Sequence, residues 1–245
     1  MNHEDRFYFR NFSLSQRNCG MPISTDAVLL GAWCTINATS PSLQIMDIGT
    51  GTGLLSLLLC DRYPRAYVSA YEIEETAATI ASENFLLSPY SERLSLYHND
   101  IMKVYNTIPK KSFDFLICNP PFYREALDTR NQARRLARYD TTLSIKDLFL
   151  IASHLLREDG EIGVLTPFET KTSLTRDALS YGFFLSREAS IVTREGKKAK
   201  RLLTQWKKGE VINDPMKEII TIRDRANKYT GHYLALVENI YHHIK

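Results

Sequence analysis

The feature that most narrows the fold is Asp47-Ile48-Gly49-Thr50-Gly51-Thr52-Gly53, three alternating glycines directly behind the apolar run Leu43 to Ile48. Alternating glycines let a chain turn sharply, and let a ligand approach backbone that a β-carbon would shield. The run before them reads as a buried strand, and Leu54 to Arg62 as the following helix, closed by Pro64. In an open α/β sheet such a junction lies at the carboxyl edge of the strands, where ligands bind.

The same alternation continues along the chain. Tyr67 to Glu72, Leu94 to Tyr97, Phe113 to Cys118 and Glu161 to Leu165 read as further strands. Ala77, Ile80, Ala81 and Phe85 share one helical face, and Ile145, Leu148, Phe149, Ala152, Leu155 and Leu156 share another, ending in the turn Glu158-Asp159-Gly160. A helix over about Glu169 to Ser180 follows. Strands separated by helices of this length predict right-handed crossovers and a doubly wound, mostly parallel sheet. Phe184 to Val192 and Arg201 to Trp206 read as strands joined by a basic linker, with Glu218 to Arg223 a third, predicting an antiparallel end to the sheet. Residues 1–40 are expected as an N-terminal extension packed on a domain spanning 41–245. It holds a short strand or hairpin around Phe7 to Phe12, and a helix over Ala27 to Trp33 with Thr25-Asp26 as its N-cap.

Composition excludes several classes. Hydrophobic residues make up 44% and aromatic ones 11%, enough for a globular core. No apolar run approaches the roughly 20 residues that cross a bilayer, and the first residues lead into no apolar signal core. Cys19, Cys34, Cys60 and Cys118 form no C-x-x-C pair and have no histidine at ligand spacing, so no metal is expected. Their dispersal suits a reducing, cytoplasmic setting, and no membrane association is expected. Charge is uneven: residues 1–120 hold 9 Lys and Arg against 12 Asp and Glu, the remainder 22 against 16. That asymmetry hints at a polyanion facing the C-terminal half.

Glu72 lies 19 residues past Gly53 at the end of the second strand, where a carboxylate can accept ribose hydroxyls. Asp100 closes the third strand, positioned for an adenine amino group or a neighbouring amide. These residues specify an adenosine-containing cofactor. A dinucleotide fingerprint, Gly51-x-Gly53-x-x-Ser56, lacks its third glycine. Directly after the fourth strand comes Asn119-Pro120-Pro121-Phe122. The prolines stiffen the backbone and donate no N–H, leaving carbonyls as acceptors. The Asn119 side-chain oxygen and the Pro120 carbonyl can accept both protons of an –NH2 group, and Phe122 offers a flat face to a ring.

The D-x-G-x-G-x-G run, the acidic strand end and the later Asp resemble the class I S-adenosylmethionine methyltransferases. The resemblance implies a Rossmann-like, mostly parallel seven-stranded sheet with an antiparallel C-terminal hairpin. It implies S-adenosylmethionine held by Asp47, Gly49, Gly51, Gly53, Glu72, Asp100 and Asn119, and transfer at Asn119, Pro120, Pro121 and Phe122. The N/D-P-P-Y/F/W pattern is shared by amino-methylating enzymes of adenine or cytosine, guanine-N2 rRNA enzymes, and glutamine enzymes of release factors. Phe9-Arg10-Asn11-Phe12, Met21 and Ser24 to Trp33, with Arg135-Leu136-Ala137-Arg138 and Lys200-Arg201-Leu202-Leu203, closely resemble the YfiC family of bacterial valine-tRNA adenine-37 N6-methyltransferases. That resemblance, which covers most of the chain, implies tRNA modification in the cytoplasm; a monomer is expected. Cations suit a polyanion: Arg134, Arg135 and Arg138 follow the transfer motif, and Lys197, Lys198, Lys200 and Arg201 lie in a basic cluster over 194–208. Thr25-Asp26 either covers the cofactor or only caps a helix.

Overall fold

The computed structural model describes residues 6–16, 23–36, 41–120 and 143–242. Strands β1 (Arg6–Tyr8) and β2 (Ser13–Ser15) pair antiparallel, Phe7 opposite Leu14. Helix α1 (Thr25–Trp33) leads to β3 (Leu43–Ile48), α2 (Leu54–Arg62), β4 (Ala66–Glu72), α3 (Glu75–Leu86), β5 (Leu94–His98), the short α4 (Ile101–Val104) and β6 (Phe113–Cys118). Then come α5 (Ile145–Leu155), β7 (Leu156–Pro167), α6 (Lys171–Ser180), β8 (Phe183–Arg194), β9 (Arg201–Lys208), β10 (Met216–Arg223) and α7 (Gly231–Val237).

The large sheet has the order β10-β8-β9-β7-β6-β3-β4-β5. Strands β3 to β7 pair in parallel, and β9 runs antiparallel between β7 and β8, forming the expected antiparallel hairpin. Among the described residues the sheet holds eight strands, one more than the seven that the resemblance implied. The strand expected over Glu218 to Arg223 is β10, and it runs parallel to β8, not antiparallel, from Met216 opposite Arg187 to Arg223 opposite Arg194. It is held there because Ile220 is buried and Glu218 accepts the Trp33 indole N–H at 2.7 Å, while Ile219 on its other face stays exposed.

Period-two alternation along the strands builds a core on each face. Ile45, Phe115 and Ile117 point into a cluster with α1, α2, Phe85 of α3, the N-terminal hairpin and α7. Met46, Ile48, Leu116 and Cys118 point into the other, with α5 and α6. Phe9, Leu14 and Val28 to Trp33 share the first cluster with Leu55 and Leu58 of α2, so residues before 41 contribute to the same core as the domain behind them.

Two local expectations are corrected. Helix α1 is capped by Ser24, whose hydroxyl accepts the Ala27 N–H at 3.1 Å, and not by Thr25-Asp26. A serine there reaches the third helical N–H, while Asp26 is turned to Arg201 at 2.9 Å. The predicted turn at Glu158-Asp159-Gly160 is a register shift inside β7. Leu156 pairs with Phe113, and Glu161 with Phe115, so the extra residues loop out of a ladder that has already begun.

From β3 the chain steps outward to β4 and β5, then crosses back to β6 on the other side of β3. The crevice at the carboxyl ends of β3 and β6 is therefore the topological switch point, where open α/β sheets bind ligands.

Candidate active site

Both motifs from the sequence flank this crevice. Ile48, last of β3, pairs with Cys118, last of β6, so the glycine loop and Asn119 leave adjacent strand ends. Asn119 is half-buried and Pro120 buried. Glu72 ends β4 beside His98 of β5, and Asp100 follows at the same edge. The structure thus gathers Asp47, Gly49, Gly51, Gly53, Glu72, Asp100, Asn119 and Pro120 along one sheet edge. Pro121, Phe122, Arg134, Arg135 and Arg138 lie outside the described residues.

The loop is fixed from both sides. Gly49 and Thr50 donate their N–H groups to the Tyr71 carbonyl at 2.9 and 3.1 Å, and Gly51 donates to Glu72 Oε2 at 2.8 Å. Gly51 and Gly53 have φ of 58° and 91°, a left-handed backbone that favours glycine. A β-carbon on Gly53 would stand 2.4 Å from the Phe85 ring, whereas one on Gly51 would meet nothing within 4 Å. Gly53 is therefore required by packing, and the space over Gly51 remains for a ligand.

Glu72 is only 8% exposed, and Oε1 already accepts the N–H groups of Ile73 and Glu74, both at 2.9 Å. With Gly51 on Oε2, three of the roughly four lone-pair positions of a carboxylate are used. The open one is on Oε2, so this carboxylate takes one ribose hydroxyl as it stands, not two. Asp100 caps α4, accepting the Met102 N–H at 3.0 Å, and lies 3.7 Å from Lys103.

Asp47 lies fully buried beneath the loop. Its Oδ2 accepts the hydroxyls of Thr50 at 2.6 Å and Ser56 at 2.7 Å, while Oδ1 has no partner among the described residues. Burial pushes its carboxyl up to about 6 against those two hydrogen bonds, and nearby Glu72 adds to the rise. An adenosine-bearing sulfonium fits this set: open backbone over Gly51, a free acceptor on Glu72, and a buried carboxylate that a cation would help to ionise.

Two residues escape the motif reading. Asn84 of α3 is fully buried; its Nδ2 donates to the Thr52 carbonyl at 2.9 Å and to Ser15 O at 3.2 Å, and its Oδ1 accepts the Ser15 N–H at 2.8 Å. Phe85 follows it, packed on Gly53. The available signal was an asparagine four residues after Ile80 on the apolar face of that helix. Glu74 caps α3, accepting from Thr76 and Ala77, and so opens a helix without joining the site.

The cations divide. Lys197, Lys198 and Lys200 are exposed in the β8–β9 turn, whereas Arg201 is tied to Asp26. Since Pro167 at the end of β7 pairs with Arg201, that turn lies on the same sheet edge as Asn119. Among the described residues no group of His, Cys, Asp and Glu is arranged to hold a metal ion. Cys34, Cys60 and Cys118 are buried free thiols, pushed far above the usual range mainly by burial.

The methyltransferase small domain model matches residues 34–173. A tRNA1(Val) (adenine(37)-N6)-methyltransferase of Porphyromonas gingivalis strain W83 is 34% identical, the alignment covering 97% of this chain and 95% of that one. The enzyme of the same name from Histophilus somni strain 129Pt is also 34% identical, over 98% and 99%. Among solved structures, a predicted O-methyltransferase from Agrobacterium tumefaciens superposes with a TM-score of 0.67 at 20% identity, covering 90% of this chain and 99% of that one. Pyrococcus horikoshii TYW2 in complex with MeSAdo gives 0.57 at 14% identity, over 82% and 70%.

Proposed function

Because the chain belongs to the tRNA1(Val) (adenine(37)-N6)-methyltransferase family, whose members use S-adenosylmethionine, we propose that it methylates the N6 amino group of adenine 37 in valine tRNA. The observation that carries this reading is the pairing of Ile48 with Cys118, which brings the glycine loop beside Asn119 at the switch point.

S-adenosylmethionine, when bound, supplies an electrophilic methyl group. Asp47, Gly49, Gly51, Gly53 and Glu72 would hold it, with Asp100 and Asn119 at the margin. The Asn119 side-chain oxygen and the Pro120 carbonyl would accept the two amino protons of the base. An aromatic amine is a weak nucleophile because its lone pair is delocalised, and pinning both protons favours a pyramidal nitrogen. Positioning and fixed dipoles then supply most of the acceleration. Taking the base out of its stack costs a few kcal/mol, of which stacking on an aromatic face such as Phe122 would return roughly 1–3 kcal/mol. Phosphate contacts by Arg134, Arg135, Arg138, Lys197, Lys198 and Lys200 would orient the RNA. A tRNA substrate makes the cytoplasm the working compartment, and no helix among the described residues is long and apolar enough to cross a membrane.

The glutamine and guanine-N2 alternatives are not favoured by the relatives' names. The test is incubation of unmodified valine tRNA with the protein and labelled S-adenosylmethionine, followed by nucleoside mass spectrometry. N6-methyladenosine at position 37 is expected; label in N2-methylguanosine, or only in a release factor, overturns the reading.

A further inference from the structure

We propose that the β8–β9 turn and the turn following β10 form one basic shelf that grips the substrate RNA's backbone away from the reacting base. The inference rests on the reading of RNA as substrate.

The two turns are joined to each other. Arg194 pairs with Arg223 at the ends of β8 and β10, and the Glu195 N–H donates to the Arg223 carbonyl at 2.8 Å. The Arg194 guanidinium donates to the Arg225 carbonyl, and Arg225 meets Glu195 at 3.2 Å. The second turn is closed by its own backbone contacts. Arg223 and Tyr229 bridge across it, Asp224 N–H donates to the Lys228 carbonyl at 2.8 Å, Lys228 N–H returns to Asp224 Oδ1 at 2.8 Å, and Asn227 takes a left-handed φ of 64°.

Residues 194–201 and 223–228 hold eight cations against two acids, Glu195 and Asp224. Two of the cations are turned to the protein: Arg201 to Asp26, and Arg223 onto the Tyr229 ring at 3.9 Å and the Asn227 carbonyl at 2.7 Å. Arg194, Lys197, Lys198, Lys200, Arg225 and Lys228 are exposed. The Arg225–Glu195 pair has side chains 82% and 49% exposed, so it holds Arg225 only weakly against a phosphate.

Position then decides what the shelf acts on. β6 is separated from β8 by three strand steps and from β10 by four. At about 4.8 Å per step the shelf is displaced roughly 14–19 Å across the sheet from Asn119, and it also lies beyond Asn119 along the strands, since Cys118 is level with Glu188 while Arg194 closes β8. Charges are screened over about 8–10 Å at physiological salt, so these cations have little effect on the reacting nucleotide. They act on phosphates docked directly on them, which requires an RNA extending well beyond the base in the crevice. Such contacts set affinity and salt dependence, and leave the transfer step unchanged.

The test measures binding of full-length valine tRNA by fluorescence anisotropy across a salt series, for the wild type, Arg225→Gln/Lys228→Gln and Lys197→Gln/Lys198→Gln. A short single-stranded oligonucleotide of the anticodon loop serves as control. Each double variant should lower the salt slope for tRNA by roughly two, and Arg225→Gln/Lys228→Gln should leave the oligonucleotide affinity and its methylation kcat unchanged. An unchanged tRNA slope, or equal weakening of the oligonucleotide by Arg225→Gln/Lys228→Gln, overturns the shelf. Because binding is read without turnover, a chain that grips tRNA through the shelf but forms no N6-methyladenosine would defeat the functional reading alone.

Discussion

Asn84 ties the glycine loop to the N-terminal hairpin: its amide donates to the Thr52 carbonyl at 2.9 Å while accepting the Ser15 N–H at 2.8 Å. Two segments far apart in sequence are held by one buried side chain. Asn84→Ala leaves buried backbone groups unpaired, at a cost of about 2–3 kcal/mol. For a chain of this size that lowers Tm by roughly 4–10 °C. Calorimetry should show weaker S-adenosylmethionine binding as well; lowered Tm with unchanged affinity would confine Asn84 to stability.

The glycines of the loop are not equivalent. Gly53→Ala forces a β-carbon to 2.4 Å from the Phe85 ring at φ 91°, so both stability and cofactor binding should fall. Gly51→Ala has open space, and pays only the left-handed backbone cost of about 1–2 kcal/mol while intruding on the ligand. Thermal denaturation should rank Gly53→Ala as the less stable, with both variants losing affinity. Equal Tm values would refute the packing argument.

Asp47 makes stability pH-dependent. Burial raises its carboxyl to about 6 from 3.8. Between those values the folded chain keeps a proton that the unfolded chain has released. Stability contributed by this group is therefore lost as pH rises through that window. Urea midpoints between about pH 4.5 and 7 should show the decline, and Asp47→Asn should flatten it. A bound sulfonium favours the ionised carboxyl, so wild-type cofactor affinity should climb as pH passes about 6. Affinity independent of pH would separate Asp47 from the cofactor.

Asn119→Ala should lower kcat by at least about 100-fold, the scale of losing one preorganised polar contact. Cofactor affinity should stay nearly intact. Lost cofactor binding in a folded variant would make Asn119 part of the cofactor cradle alone.

Local pattern carried much of the fold. Leu43–Ile48, Leu54–Arg62 and Phe113–Cys118 are delimited by the same residues in sequence and structure, because glycine, proline and polar punctuation marks their ends. Strand order was less legible: that β10 lies beside β8 and parallel to it depends on Glu218 meeting Trp33 and on Ile220 joining the common core, contacts without local periodicity. Helix α7 was missed; it is seven residues long, starts on Gly231, and signals itself only through the Thr230 cap on Tyr233. At the site, Glu72 and the glycine loop were recognisable as types. What Glu72 is already bonded to was not, since its partners are backbone amides, which sequence leaves anonymous.

Phe9 bridges to Tyr241, and Arg10 donates its N–H to the Ile240 carbonyl at 2.8 Å. On the ribosome, Phe9 must wait until Tyr241 has been made before this bridge can form. At about 5–20 residues per second that delay is on the order of 10–50 s, during which Phe7 and Phe9 lack the Tyr241 ring. The nascent hairpin thus stays open on one side until the segment around Tyr241 has emerged, and that late contact is what closes this face of the core.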